Sequence, residues 1–186
     1  MVMMIGNHGD KEPTGRLPSL PGTYGLVLAA SAYREVAIGR LGVLALRPGC
    51  YVYVGSAMGP GGLAARVGRH CRAEKRLHWH VDYLRAATVL EEVWYATGQS
   101  QRECLWANLL HRMPGASVPM VGFGASDCDC QSHLVFFQTR PSFAAYRDRL
   151  RSRVLTRLRL ADDNRTTTTT AVAGSARRPP SGGTRR

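Results

Sequence analysis

The sequence predicts one mixed domain of the α/β (α+β) type, in which antiparallel strands alternate with helices. Residues 24–30 and 51–54 are rich in the β-branched, aromatic and other apolar residues that favour strands. Between them, apolar residues at 36–38 and 43–46 predict further strand, so the domain begins as a three-stranded antiparallel meander. A chain of 186 residues is long enough to bury a hydrophobic core.

Glycines divide the first half of the chain into elements. Gly39 and Gly42 predict a bulge or bend between the two middle strand segments. The glycine-rich stretch 55–62 ends the next strand, because glycine lets the backbone turn sharply. From residue 63 to residue 75 the apolar residues recur with helical period, which predicts a helix.

This helix has two distinct sides. Its apolar side carries Leu63, Val67 and Cys71. Another side carries Arg66, Arg69 and His70. The strand that ends at Tyr53 and Val54 therefore leads, across a short glycine turn, to a basic helix side suited to holding a phosphate.

The second half of the chain continues the alternation. Residues 78–84 predict one or two helical turns, and residues 88–97 a strand. The spacing of Ser100 and Glu103 is that of a capping box, which predicts a helix over 101–112. A loop rich in potential ligands follows at 121–133. Residues 134–138 predict the final strand.

Composition predicts three regions. Residues 1–20 are a flexible lead-in, 21–141 form the domain, and 142–186 form a basic, mostly disordered tail in which 144–160 is a basic helix. The net charge of +12 belongs mainly to the tail, because 11 arginines and 3 aspartates lie from position 147 onward. The body of the protein is only mildly basic.

Cysteine usage and hydropathy bear on the compartment. The five cysteines are odd in number, and residues 1–22 lack the basic start and apolar core of a signal peptide. No apolar run approaches the roughly 20 residues of a membrane span. These features predict a cytoplasmic protein without membrane contact, whose thiols are reduced and either free or metal-bound.

Two tripeptides carry a family resemblance. Gly22-Thr23-Tyr24 is followed about thirty residues later by Tyr53-Val54-Gly55. With Arg66 on the next helix and Glu103 on a later one, they resemble in order and spacing the motifs of the GIY-YIG nucleases. The stretches 78–82 and 126–133 extend the resemblance to an uncharacterised prokaryotic branch of that superfamily.

The resemblance implies a fold and an activity. The fold is a GIY-YIG-like domain with a small central antiparallel sheet flanked by helices. The activity is metal-dependent hydrolysis of phosphodiester bonds in nucleic acid, DNA rather than RNA, in repair or processing. The cofactor is Mg²⁺ or Mn²⁺.

The resemblance also implies site residues. Tyr53 accepts a proton from water while Tyr24 orients the water or Tyr53. Arg66 stabilises charge on the phosphate, His70 hydrogen-bonds to it, and Glu103 holds the cation.

Each of these residues also has a structural alternative. The alternative for Tyr24 and Tyr53 is simple packing within their strands. For Arg66 and His70 it is a solvated position on the helix, and for Glu103 it is a helix cap.

Nucleic-acid contacts are predicted for five basic residues on and after the first helix: Arg66, Arg69, Arg72, Lys75 and Arg76.

A second metal site is predicted in the ligand-rich loop. Cys128, Cys130 and His133 lie close in sequence, and His78 or His80 could complete a tetrahedral zinc site. The alternative is a tight turn with small, partly buried thiols.

Ser56 follows the second tripeptide where many relatives place a lysine, which favours a second reading. In that reading the chain is a non-catalytic nucleic-acid-binding module that retains the fold. A third reading is a zinc-stabilised interaction domain.

Overall fold

A computed structural model describes residues 16–72, 76–151 and 155–160. The strands are β1 Gly22–Ala30, β2 Arg34–Ala37, β3 Val43–Leu46, β4 Gly49–Ala57, β5 Val89–Thr97, β6 Leu134–Phe137 and β7 Thr156–Arg159. The helices are α1 Gly62–Cys71, α2 His80–Arg85, α3 Glu103–His111 and α4 Phe143–Arg149, with a short 3₁₀ helix at Gly39–Leu41.

The central element is a five-stranded antiparallel sheet in the order β6-β4-β1-β5-β7. The predicted α+β class with a central antiparallel sheet is therefore confirmed. β1 lies in the middle because nearly all of its side chains are buried, as a strand covered on both faces requires.

The predicted three-stranded meander is wrong. β1 pairs directly with β4, from Gly22 opposite Ala57 to Ala30 opposite Gly49. β2 and β3 form a separate two-stranded sheet. The physical reason lies in β2, whose side chains are mostly exposed and so cannot fill an interior position of the main sheet.

Alternation along the strands divides the core between two faces. Tyr24, Leu26 and Tyr53 belong to the cluster that packs against α1 and α2. Val27 and Val52 belong to the opposite cluster, against α3 and α4. Helices therefore flank the sheet on both faces.

The packed fold extends beyond the boundary predicted after residue 141. Tyr146 of α4 is fully buried, and its hydroxyl donates a hydrogen bond to the Trp106 carbonyl. β7 pairs with β5, with Arg159 opposite Glu92. The basic helix predicted over 144–160 is thus a short helix followed by a strand, because arginine alternating with apolar residues also has the strand period of two. Residues 161–186 of the predicted tail lie outside the described residues.

Two helix boundaries also differ from prediction. α1 ends at Cys71 rather than at 75, and Lys75 lies outside the described residues, as do positions 1–15 of the predicted lead-in. The capping box is wrong: the N-cap of α3 is Arg102, and no side chain caps it.

Two findings bear on the compartment. None of the five cysteines forms a disulfide. Within the described ranges, the helices are all too short or too polar to span a bilayer.

Candidate active site and metal centre

The residues predicted for catalysis meet at one pocket of about 490 Å³. They come from the β1–β4 pair, α1 and the first turn of α3. The predicted residues that line the pocket are Tyr24, Tyr53, Arg66, His70, Glu103 and His133.

The two tripeptides lie side by side because β1 and β4 pair. Tyr24 is directly opposite Gly55, and a Cβ atom at position 55 would lie 2.6 Å from the Tyr24 hydroxyl. Glycine at position 55 therefore leaves the space that the tyrosine ring crosses to reach the pocket.

A buried chain of polar groups stands behind Tyr24. The Tyr24 hydroxyl lies 2.9 Å from His70 Nε2, and His70 Nδ1 lies 3.4 Å from Asp82 Oδ1. All three residues are almost fully buried. The prediction placed His70 on the basic side of α1, but the structure buries it beside the core.

Asp82 is a buried acidic residue that the sequence interpretation did not assign to the site. Both of its oxygens accept from the Arg69 guanidinium, at 3.0 and 2.9 Å. Oδ2 also accepts from the backbone N–H groups of His78 and Trp79. Arg69, predicted to contact nucleic acid, is thus engaged with Asp82.

Burial, more than charge, controls the two tyrosines. It raises the pKa of Tyr24 well above its ordinary value, the nearby Tyr53 raises it further, and Arg66 lowers it. Burial likewise raises the pKa of Tyr53, with Arg66 opposing. Arg66 acts in the expected direction, but its effect is smaller than that of burial, so both phenols are protonated at neutral pH.

Arg66 stands at the rim of the pocket. Its guanidinium carbon lies 4.9 Å from the centre of the half-exposed Trp79 ring. This cation–π contact holds the planar guanidinium beside the pocket while leaving its N–H groups for an anion. Arg72 and Arg76 are exposed at the surface, as residues that meet a nucleic acid must be.

Glu103 places a carboxylate oxygen at the pocket. Its Oε2 atom is buried and forms no hydrogen bond within the described residues, although the residue lines the pocket. A buried, unpaired oxygen of this kind is costly unless a cation or a donor meets it. A carboxylate oxygen in this position at the pocket therefore fits a divalent cation such as Mg²⁺ or Mn²⁺, which prefers oxygen ligands.

His80 belongs to this pocket. Its Nδ1 atom accepts a hydrogen bond from the Gly124 backbone N–H at 3.0 Å. Burial lowers the pKa of His80, so the ring is neutral and carries its proton on Nε2. The sequence interpretation offered His80 only as a zinc ligand.

A cluster of four potential ligands lies beside the pocket. It consists of Cys104, Cys128, Cys130 and His133, whose ligand atoms all lie within 4.8 Å of one another. This Cys₃His cluster could hold a metal ion. The predicted trio is brought together, but the fourth potential ligand beside it is Cys104 of α3 rather than His78 or His80.

The electrostatics of the cluster reflect its crowding. Burial and hydrogen bonds with Cys130 and Cys128 raise the pKa of Cys104 to about 12. Burial lowers the pKa of His133, which keeps the imidazole neutral. In the sequence, the fourth potential ligand is visible only as the cysteine directly after Glu103. The packing of α3 is what brings this cysteine to the loop.

Comparison with known proteins identifies a family. The family model described as a domain of unknown function, DUF123, matches residues 23–155, from β1 to the residue before β7. No curated protein and no solved structure shows significant similarity to the chain. Because the matched region includes every candidate site residue and most of the chain, the protein belongs to the DUF123 family.

Proposed function

We propose that the protein is a metal-dependent nuclease that hydrolyses phosphodiester bonds in nucleic acid, in DNA rather than RNA, during repair or processing. The observation that carries the proposal is the shared pocket. It unites a hydrogen-bonded tyrosine–histidine pair, an arginine at the rim and a buried carboxylate oxygen that has no hydrogen-bond partner among the described residues.

The hydrogen bond between Tyr24 and His70 supports a proton path. The attacking water gives a proton to the Tyr24 oxygen, while the Tyr24 hydroxyl proton passes to His70 Nε2. Asp82 stabilises the imidazolium that forms, since its carboxylate faces Nδ1. This path exchanges the roles predicted for the tyrosines, because Tyr24 has the proton acceptor beside it, and Tyr53 becomes the residue that orients the water.

Arg66 and Glu103 are the residues that respond to the negative charge of the phosphate. The Arg66 guanidinium stabilises the negative charge that develops on the phosphate oxygens. Glu103 would hold Mg²⁺ or Mn²⁺, which when bound supplies further stabilisation of that charge. One protein carboxylate is enough, since Mg²⁺ retains waters and phosphate oxygens as its other ligands.

The metal proposed for the Cys₃His cluster is zinc. Thiolate and imidazole ligands in a compact set of four suit Zn²⁺, whereas Mg²⁺ and Mn²⁺ prefer oxygen ligands. The two proposed metals therefore differ in ligand chemistry as well as in place.

A second candidate function is a nucleic-acid-binding module without catalysis. Ser56 favours it, because this residue lines the pocket at the position where many of the GIY-YIG nucleases that the motifs resemble have a positively charged lysine. Such a module would bind nucleic acid through the same face and leave it intact.

The experiment that separates the two functions uses labelled nicked, branched and single-stranded DNA, with matched RNA. Each substrate is incubated with the protein in Mn²⁺, in Mg²⁺, without added cation and with chelator. Cation-dependent cleavage supports the nuclease. Binding without cleavage of any substrate supports the module.

A further inference from the structure

We infer that Cys104, Cys128, Cys130 and His133 form a closed zinc site that sets the position of Glu103. The zinc fastens the first turn of α3 to the loop over residues 121–133. Its role in the proposed nuclease is to position the cation ligand, and it takes no part in the chemical step. The inference rests on the proposed function only for this last consequence.

The distances within the cluster fit a tetrahedral zinc site. With Zn–S near 2.3 Å and Zn–N near 2.0 Å, the edge between a sulfur and a nitrogen ligand is about 3.5 Å. The observed distances from His133 Nε2 are 3.7 Å to Cys104 Sγ and 3.4 Å to Cys128 Sγ. These two edges match the tetrahedral value, and every other pair of ligand atoms lies within 4.8 Å, close enough for one ion to reach all four.

Four protein ligands leave no open coordination position. Zinc sites that act on substrate keep one position for water or substrate, whereas sites with four protein ligands are structural. The Cys₃His cluster has the ligand count of a structural site. The ion is thus distinct from the cation proposed at Glu103.

The ligands come from two separate parts of the fold. Cys104 lies in the first turn of α3, and the other three lie in the loop that leads to β6. The C-terminal end of α3 is already attached to this loop, because His111 Nε2 lies 2.8 Å from the Ser132 carbonyl oxygen. At the N-terminal end no side chain of the described residues caps the helix, so the zinc supplies an attachment there.

The position of Glu103 depends on this second attachment. Glu103 is the first residue of α3 and directly precedes Cys104. A displaced first turn would carry its buried Oε2 away from the pocket. On the other side of the site, the His133 backbone is fixed by hydrogen bonds to Phe123 and to Val54 of β4. The zinc thus links Glu103 to the sheet that carries the tyrosines.

The first test measures zinc in the full chain, purified without chelator. We expect about one zinc per chain. Cys104→Ser and Cys128→Ser should each lose it, while Cys71→Ser, outside the cluster, should retain it. Absence of zinc from the unmodified protein, another metal in its place, or full zinc retention by Cys104→Ser would overturn the inference.

The second test asks whether the zinc acts on the first turn of α3. Amide hydrogen exchange is compared in zinc-loaded protein, zinc-stripped protein and Cys104→Ser. We expect exchange at residues 103–107 and 122–133 to quicken at least about tenfold without zinc, while β1 and β5 keep their protection. Unchanged exchange at 103–107 would overturn the positioning role. The exchange measurement does not require the protein to have nuclease activity.

Cleavage supplies a separate third readout. The Mn²⁺ concentration for half-maximal cleavage should rise at least about tenfold in Cys104→Ser at a temperature where the variant is folded. Unchanged Mn²⁺ dependence would also overturn the positioning role. An inactive unmodified protein that still shows the zinc and exchange results would contradict the nuclease alone.

Discussion

The Tyr24 hydroxyl lies 2.9 Å from His70 Nε2, in a buried contact between β1 and α1. The contact joins the first tripeptide to a histidine 46 positions later. Because Asp82 faces the other nitrogen of the same ring, Tyr24 stands at the end of a chain of groups that can take up a proton.

Tyr24→Phe tests this proton path. The ring remains, so the variant should fold, with a loss of about 1–3 kcal/mol because His70 Nε2 loses its partner. Cleavage should fall about 10²- to 10⁴-fold, the usual contribution of a general base. Tyr33→Phe, at an exposed position, is the matched control and should behave as the unmodified protein. Unaltered cleavage by Tyr24→Phe would remove Tyr24 from the mechanism.

Asp82→Ala tests the stabilising role of the buried carboxylate. The change removes the carboxylate that accepts from Arg69 and from two backbone N–H groups. We expect the free energy of unfolding to fall by roughly 3 kcal/mol, as for other broken buried ion pairs. Asp148→Ala removes an exposed carboxylate paired with Arg147 and should cost at most about 1 kcal/mol. Denaturant unfolding of both variants measures the difference, and equal losses would contradict it.

His80 predicts a pH dependence of stability. Burial lowers its pKa in the folded state, so the unfolded chain binds a proton more readily. The free energy of unfolding should therefore fall as the pH drops through about 6.5, the ordinary pKa of histidine. His80→Gln should reduce this slope by less than about 1.4 kcal/mol per pH unit, the limit for one proton. The exposed His78→Gln is the control, and an identical slope in both variants would contradict the prediction.

Truncation tests where the fold ends. A chain that ends at residue 160 should unfold at the temperature of the full chain. It should bind nucleic acid less strongly at low salt, since it loses five arginines and two aspartates. A chain that ends at 141 loses the buried Tyr146 and β7, so it should unfold at a much lower temperature. Equal thermal stability of the two truncated chains would restore the boundary at 141.

Local patterns were sufficient to predict most of the sheet. Four strands contain runs of consecutive buried residues, and their apolar, β-branched and aromatic composition identified them as strands: β1, β4, β5 and β6. The partners of β1 could not be read in this way, because pairing depends on which faces are covered at once. β7 was missed for a related reason. Its alternating arginines are equally typical of a solvated helix, and only its pairing with the edge of β5 makes the segment a strand.

The candidate site was predicted to the extent that its residues lie in motifs. Tyr24, Tyr53 and Glu103 line one pocket, as expected of motif residues. Asp82 and Cys104 were not assigned, because their roles depend on contacts with groups 12 to 29 positions away, His70 and His133. Sequence spacing carries no signal for such contacts.

The measurement that tests the central claim most directly is cleavage by Glu103→Gln in Mg²⁺ and Mn²⁺. Glutamine keeps the size of the side chain and removes the charge that would hold the cation. The variant should fold, retain the zinc of the unmodified protein, and cleave at least about 10²-fold more slowly. Glu35→Gln, which removes an exposed carboxylate of β2, should cleave at the unmodified rate. Cleavage by folded Glu103→Gln at the rate of the unmodified protein would contradict the assignment of Glu103 as the cation ligand.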